Sequence, residues 1–218
     1  KLELVDLQGE PITSIAVGQQ FLMRFIGVDL RQFSFDRDGV FAAFADILFD
    51  SSLVRPVPGS AIDYDDRFPA VNKGTFASGL IDELGAATDR LVASELEESL
   101  IATIRFEALA AGTVNIRSEP ADDPDSEVLL YGNDNQIPAN EVAYGSVSLA
   151  IGQSFTVADD NFTVNEDSGS TVLDVLANDV VVSGSGSLSV VSVTQPASGG
   201  VVTTEAGMVA FFPAANFN

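Results

Sequence analysis

Apolar and polar residues alternate with a period of two in short runs along most of the chain, the spacing of half-buried strands. Residues 2–7 alternate, and residues 20–28 put Phe21, Met23 and Phe25 on one face with Leu22, Ile26 and Val28 on the other. Residues 40–49 are apolar on both faces, as expected of a central strand covered on both sides. Residues 100–108 place Ala102, Ile104 and Phe106 inward and Thr103, Arg105 and Glu107 outward. Residues 113–117, 128–131 and 144–151 add further strands, each bounded by Gly, Pro, Asp or Asn. Only residues 91–100 (LVASELEESL) carry the Leu, Ala and Glu of a short helix. Short strands divided by turn residues predict an all-β chain built from sandwiches rather than βαβ units.

The pattern restarts after Gly152-Gln-Ser154, which predicts two domains, 1–153 and 154–218. Downstream, residues 171–175, 188–193, 201–204 and 208–212 read as four strands. Residues 183–187 (SGSGS) form a flexible loop between two of them, and residues 196–200 (PASGG) form a turn. Neither half repeats inside the chain.

Composition narrows the chemistry. The 218 residues are enough to bury sizeable cores. There is no His, Cys or Trp, which removes Ser–His–Asp and Cys–His nucleophilic catalysis, thiolate chemistry and ordinary zinc sites. Two-carboxylate catalysis stays formally open, but no pair sits at a telling spacing. A non-catalytic role is expected. The many Phe residues follow the strand period, so they read as core.

The net charge is -22, and all ten basic residues lie between Lys1 and Arg117. Such a surface repels phosphate backbones and anionic lipid headgroups, so neither nucleic acid nor a membrane surface is an expected partner. It attracts divalent cations. The competing reading is that acidity keeps a secreted protein soluble. A large, acidic β protein without Cys fits a bacterial exterior better than a disulfide-stapled eukaryotic one. No apolar run reaches the roughly 20 residues that cross a bilayer. Lys1 leads straight into a strand without a signal peptide, as a mature or excised segment would.

Two resemblances sharpen the expectation. Residues 159–217 carry Asp159-Asp160, Glu166-Asp167, Val175-Leu-Ala-Asn-Asp179, Leu188-Ser-Val-Val-Ser-Val-Thr-Gln-Pro196, Gly200-Val-Val and Phe212-Pro-Ala-Ala-Asn-Phe217. In order and spacing this resembles a cadherin-like repeat of large bacterial surface proteins. That family continues with a Gly-x-Asp-x-Phe-x-Tyr strand and one more, and Asn218 comes before them, so the second sandwich is expected to lack its last strands. The first domain resembles a cohesin module through Ile15-Ala-Val-Gly-Gln-Gln-Phe, Val28-Asp-Leu-Arg, Gly39-Val-Phe-Ala-Ala-Phe-Ala-Asp-Ile-Leu-Phe-Asp50, Ile104-Arg-Phe-Glu-Ala and Ala111-Gly-Thr. The resemblance implies a jelly-roll-type sandwich and a dockerin-like protein partner, without marking the contact residues.

Calcium takes six to eight oxygens from carboxylates, carbonyls, Asn side chains and water. By resemblance Asp159, Asp160, Glu166, Asp167, Asn178 and Asp179 would gather around Ca2+ at the joint between domains, and no basic residue in the sequence around them offsets their repulsion. The alternative is that they are turn formers and solvated caps. Asp122, Asp123 and Asp125 form a second, weaker candidate. Their run is not an EF-hand, because Val128 stands where that loop needs Gly and a strand follows. Asp63, Asp65 and Asp66 around Tyr64, and residues 36–39 (DRDG), read as turns neutralised by Arg67 and Arg37. Asn161-Phe-Thr163 fits a glycosylation sequon by chance.

The leading expectation is an extracellular adhesion or recognition module stiffened by calcium. A second is a filament or surface-lattice subunit that accepts a strand from another copy of itself. A carbohydrate-binding module ranks last, because Trp is absent and only Tyr64, Tyr131 and Tyr144 offer a hydroxylated ring.

Overall fold

The computed structural model describes residues 1–31, 39–90, 98–126, 128–133, 135–183, 187–205 and 208–216. The chain is all-β and divides into two compact units, Lys1–Gly152 and Gln153–Asn218.

The first unit is a sandwich. One sheet orders β1 (Leu2–Val5), β3 (Gln20–Val28), β9 (Glu98–Ala108) and β5 (Val54–Pro56), with β6 (Asp63–Tyr64) also on β9. The other orders β2 (Ser14–Ala16), β12 (Ser146–Gly152), β10 (Gly112–Glu119), β4 (Val40–Leu48), β8 (Leu80–Ala87) and β7 (Val71–Ala77), with β11 (Leu129–Leu130) on β4. β2 pairs with β12 in parallel and the other pairs of this sheet are antiparallel.

Alternation decides which side chains meet. Phe21, Met23, Ile104 and Phe106 of the first sheet are fully buried against Ile47, Ile81, Leu84, Ile116 and Leu149 of the second, in one apolar cluster. The Phe21 and Phe106 rings stack at 5.6 Å, and Phe49 meets Phe106 edge-on at 5.1 Å. A bulge between Phe25 and Ile26 shifts the β3–β9 register, so both residues are buried although they are adjacent.

The β7–β8 hairpin lies where the patterning gives no strand. It turns at Ser78-Gly79, where Gly79 has φ +77° and a Cβ would stand 3.0 Å from the Phe49 carbonyl. The expected helix at 91–100 falls largely outside the described residues, and its last three residues begin β9. The one helical element described is a 3-10 turn at Ala139–Glu141. The turn at 36–39 is described only at Gly39.

The second unit pairs β13 (Ser154–Thr156) with β15 (Val180–Ser183), and orders β14 (Thr171–Leu173), β17 (Met208–Pro213) and β16 (Gly200–Glu205) in a second sheet. The expected strand at 188–193 is not one. Its alternation supplies strand propensity but no ladder. Next to it, the Gln195 carboxamide donates to the Val202 carbonyl at 2.6 Å and accepts the Val202 amide at 3.0 Å, standing in for a partner strand on β16. The loop at 183–187 is described only at its ends.

Candidate functional site

Ile81 and Leu84 are both fully buried, yet they lie three positions apart, which a regular strand would put on opposite faces. The register supplies the reason. Ala45 faces Leu84 and Ile47 faces Ile81, so the single residue Asp46 of β4 opposes two residues of β8, Asp82 and Glu83. Glu83 carries the distortion with φ +58°, a conformation rare for a residue with a Cβ. Its amide donates to Asp46 Oδ1 at 2.9 Å. The bulge brings one carboxylate oxygen each from Asp46, Asp82 and Glu83 within 4.8 Å of one another, all three half-buried.

A loop folds onto the same place. The amides of Asp122 and Asp123 donate to Glu83 Oε1 at 3.0 and 2.8 Å. Glu83 Oε2 is buried and has no hydrogen-bond partner among the described residues. Loss of solvent raises the Asp46 carboxyl above its ordinary value, and the charges of Glu83, Asp82 and Asp122 push the same way. The Asp122 carboxyl is raised too, first by its side-chain hydrogen bond with Glu83 and then by desolvation and the charges of Asp82, Glu83 and Asp123.

Lys73 of β7 holds the loop. Its ammonium donates to Asp123 Oδ2 at 2.9 Å and to Ser126 Oγ at 3.1 Å, and lies 5.8 Å from the centre of the Phe44 ring. Asp123 Oδ1 in turn accepts the Asp125 amide. Of the second sequence candidate, Asp123 therefore has its own counter-ion and caps the turn by accepting the Asp125 amide, and Asp122 joins the Glu83 cluster.

In the second unit, Asp179 Oδ1 accepts the Ala158 amide at 2.9 Å and the Asn178 side chain donates to the Asp159 carbonyl at 3.2 Å. Asp159, Asn178 and Asp179 thus share one corner, with Asp160 half-buried beside Asp159. Asp167, at φ +57°, instead accepts the Asn216 amide at 3.3 Å, and Glu166 is exposed. Among the described residues, only Asp46, Asp82 and Glu83 bring three carboxylates within that 4.8 Å reach.

Asp46, Asp82 and Glu83 escape a search for acidic runs, because they lie on two strands far apart in sequence. The available signal is Ile81-Asp-Glu-Leu84, a pair of charges where the apolar alternation slips by one.

Elsewhere, Arg31 donates twice from Nε and once from Nη2 to the carboxylate of buried Asp29, whose Oδ2 also accepts the Gly39 amide. Arg67 closes on Asp65 at 2.7 Å, as its turn predicts. An open, mostly apolar cleft of about 780 Å³ is lined by Leu2, Phe25, Val40, Phe44, Leu130 and Tyr144 among others, with Lys1, Glu98 and Glu141 among its charged residues.

Residues 153–218 match the family model of a bacterial Ig domain. That stretch is the one that resembles a cadherin-like repeat. Solved cohesin modules align with the chain at low identity. The cohesin module from a Clostridium perfringens family 33 glycoside hydrolase is 13% identical, with 64% of this chain and 90% of that one covered and a TM-score of 0.45. The third ScaC cohesin of Acetivibrio cellulolyticus, in complex with a ScaB dockerin, is 16% identical over 70% of this chain and 99% of that one, with a TM-score of 0.43. The seventh ScaB type I cohesin of Pseudobacteroides cellulosolvens is 12% identical over 75% and 98%, with a TM-score of 0.43. No curated protein matches the chain.

Proposed function

We propose that this chain is a non-catalytic recognition segment of a bacterial secreted or cell-surface multidomain protein, binding another protein module. The observation that carries it is the bacterial Ig match over residues 153–218, directly after a β-sandwich, in a chain without His or Cys. Such modules act by presenting rigid surfaces, and the fully buried two-sheet core of the first unit supplies one. Its cohesin-like sequence pattern makes a dockerin-type module the partner class. Calcium at the Asp159, Asn178 and Asp179 corner stiffens the second unit, because oxygens already held together by Ala158 and Asn178 bonds lose little entropy on binding.

Titration calorimetry of the whole chain against a panel of calcium-loaded dockerin modules tests the partner, with saturable one-to-one binding expected. Protease shaving of intact source cells tests the location. Failure to bind any module, with release of the chain only on lysis, overturns this reading.

A second reading is self-assembly through the second unit. Phe155, Val172, Val201 and Phe212 are exposed there, and among the described residues of that unit Val209 is the one buried large apolar side chain. A strand from another copy would cover them. Concentration-dependent polymers on size exclusion would favour it, and a monomer at high concentration would remove it.

A further inference from the structure

We propose that the outer face of the first sheet, carried by β1, β3, β9, β5 and β6, is a dimer interface on which two copies of this chain meet about a two-fold axis, with Arg105 of each copy on Asp63 of the other. This face belongs to the first unit and is separate from strand exchange through the second.

Alternation fixes what the face displays. Phe21, Met23, Ile104 and Phe106 point into the core, so Leu22, Arg24, Thr103, Arg105 and Glu107 point out. Cross-strand partners share a face. Arg24 stands between Glu3 and Thr103, and Thr103 faces Asp63 on its other side. Glu107 stands between Gln20 and Arg55, and Leu22 faces Arg105. Lys1 reaches the end of the face, 3.0 Å from Glu98 and 3.9 Å from Glu3.

Charge then selects the occupant. The face gathers Lys1, Arg24, Arg55 and Arg105, four of the chain's 10 bases, with Glu3, Asp63, Glu98 and Glu107, four of its 32 acids. It is neutral in sum, and the whole net charge of -22 lies outside it. Copies approaching by other surfaces meet strong like charge, whereas two of these faces do not repel. The face is also large enough. β3 and β9 run 9 and 11 residues, and at roughly 3.4 Å per residue and about 4.8 Å between four strands the footprint is on the order of 600 Å². Two footprints clear the roughly 1,000 Å² that a specific contact needs, at its weaker end.

The pairing within the face sets the register between copies. Three of its bases are committed to three of its acids, Lys1 to Glu98 at 3.0 Å, Arg24 to Glu3 at 3.4 Å and Arg55 to Glu107 at 3.0 Å. One base and one acid are left over. Arg105 and Asp63 are both exposed, and the side chain of neither makes a hydrogen bond or ion pair among the described residues. Asp63 faces Thr103, two positions from Arg105, so the unmatched charges are neighbours that do not close on each other. An isologous contact presents the same patch twice, and an axis between these two side chains sets each against its opposite in the other copy. Arg105 makes the bond count, since its planar fork takes a carboxylate by two parallel donors. Leu22, opposite Arg105 on β3, adds apolar area beside the pair.

The experiment is sedimentation equilibrium of the whole chain for wild type, Arg105→Asp, Asp63→Arg and the double variant. Salt is held at about 0.15 M, where repulsion between the acidic remainders is screened beyond about 8 Å. Wild type should dimerise with a micromolar Kd. Each single variant sets like charges opposite one another and should weaken the dimer by more than about tenfold. The double variant exchanges the two charges and should return Kd to within about threefold of wild type. Arg117→Asp, the same change of charge on β10 of the second sheet, should leave the dimer unaltered. Arg105→Gln and Asp63→Asn serve if a reversed charge prevents folding. The proposal is overturned if wild type stays monomeric up to about 200 μM. It is equally overturned if either single variant dimerises as wild type does, or if the double variant fails to regain the dimer. Polymers that persist in Arg105→Asp come from the second unit and leave this face rejected.

Discussion

Phe44 lies against the α-carbon of Gly85, its cross-strand partner, so closely that a Cβ on Gly85 would stand 2.4 Å from Phe44 Cδ1 and 2.1 Å from the Ala43 carbonyl. The carbonyl is backbone and cannot swing away. Gly85→Ala should therefore destabilise the first unit by about 3 kcal/mol, the upper range of overpacking. Urea unfolding would measure it. A loss under 1 kcal/mol would mean that the β4–β8 pair spreads freely.

Asp29 and Arg31 set an acid limit. Burial pushes the Asp29 carboxyl up, but the Arg31 side chain, the Gly39 and Arg31 amides and the Arg31 charge together hold it below its ordinary value. The native state therefore binds this proton less readily than the unfolded chain. Its stabilisation is complete above the unfolded value of about 3.9 and is lost as pH falls through the lower folded value. Asp29→Asn should flatten the stability curve below about pH 4. Asp29→Ala should lose about 2 kcal/mol at pH 7, less than the roughly 3–5 of a fully buried pair because the Arg31 side chain is 35% exposed. An unchanged acid limb in Asp29→Asn would refute the assignment.

Lys73→Met keeps the apolar stem beside Phe44 and removes the bonds to Asp123 and Ser126. The expected outcome is a small loss of global stability with faster cleavage of residues 120–126 by a protease specific for acidic residues. Equal cleavage of wild type and variant would show that the strap does not restrain the loop.

The strands of the core were legible where alternation is unbroken. Residues 20–28 and 100–108 are strands over their predicted span because Phe21, Met23 and Phe25, and Ala102, Ile104 and Phe106, alternate up to the bulge at Phe25 and Ile26. The β7–β8 hairpin was not, because Gly74, Gly85 and the Asp82-Glu83 bulge break the period that marks a strand. The reverse happened at 188–193, where alternation is clean but no neighbouring strand pairs with it. The acidic cluster failed for a similar reason. Asp46 is a single charge in an apolar run, and only strand pairing sets it beside Asp82 and Glu83.

Ser99 is buried on β9, and its hydroxyl has no hydrogen-bond partner among the described residues. Ser99→Ala removes a desolvated group that makes no bond, so stability should stay level or rise by up to about 1 kcal/mol. A loss beyond that in thermal melting would reveal a partner for the hydroxyl in solution.

Gln195→Ala frees both backbone groups of Val202 on β16. Amide exchange at Val202 should accelerate at least about tenfold, with neighbouring β17 amides little changed. Uniform protection in both proteins would rule out the side-chain clasp.

An outer strand with unsatisfied amides and carbonyls is a template for any extended peptide that drifts past. The seven-stranded sheet ends on one side in β2, only three residues long, and on the other in β7, which the Asp82-Glu83 bulge throws out of register between Lys73 and Thr75. A foreign strand laid along β7 would meet a kinked ladder and a lysine ammonium. Both edges of this sheet are therefore blunted against the addition of a further strand.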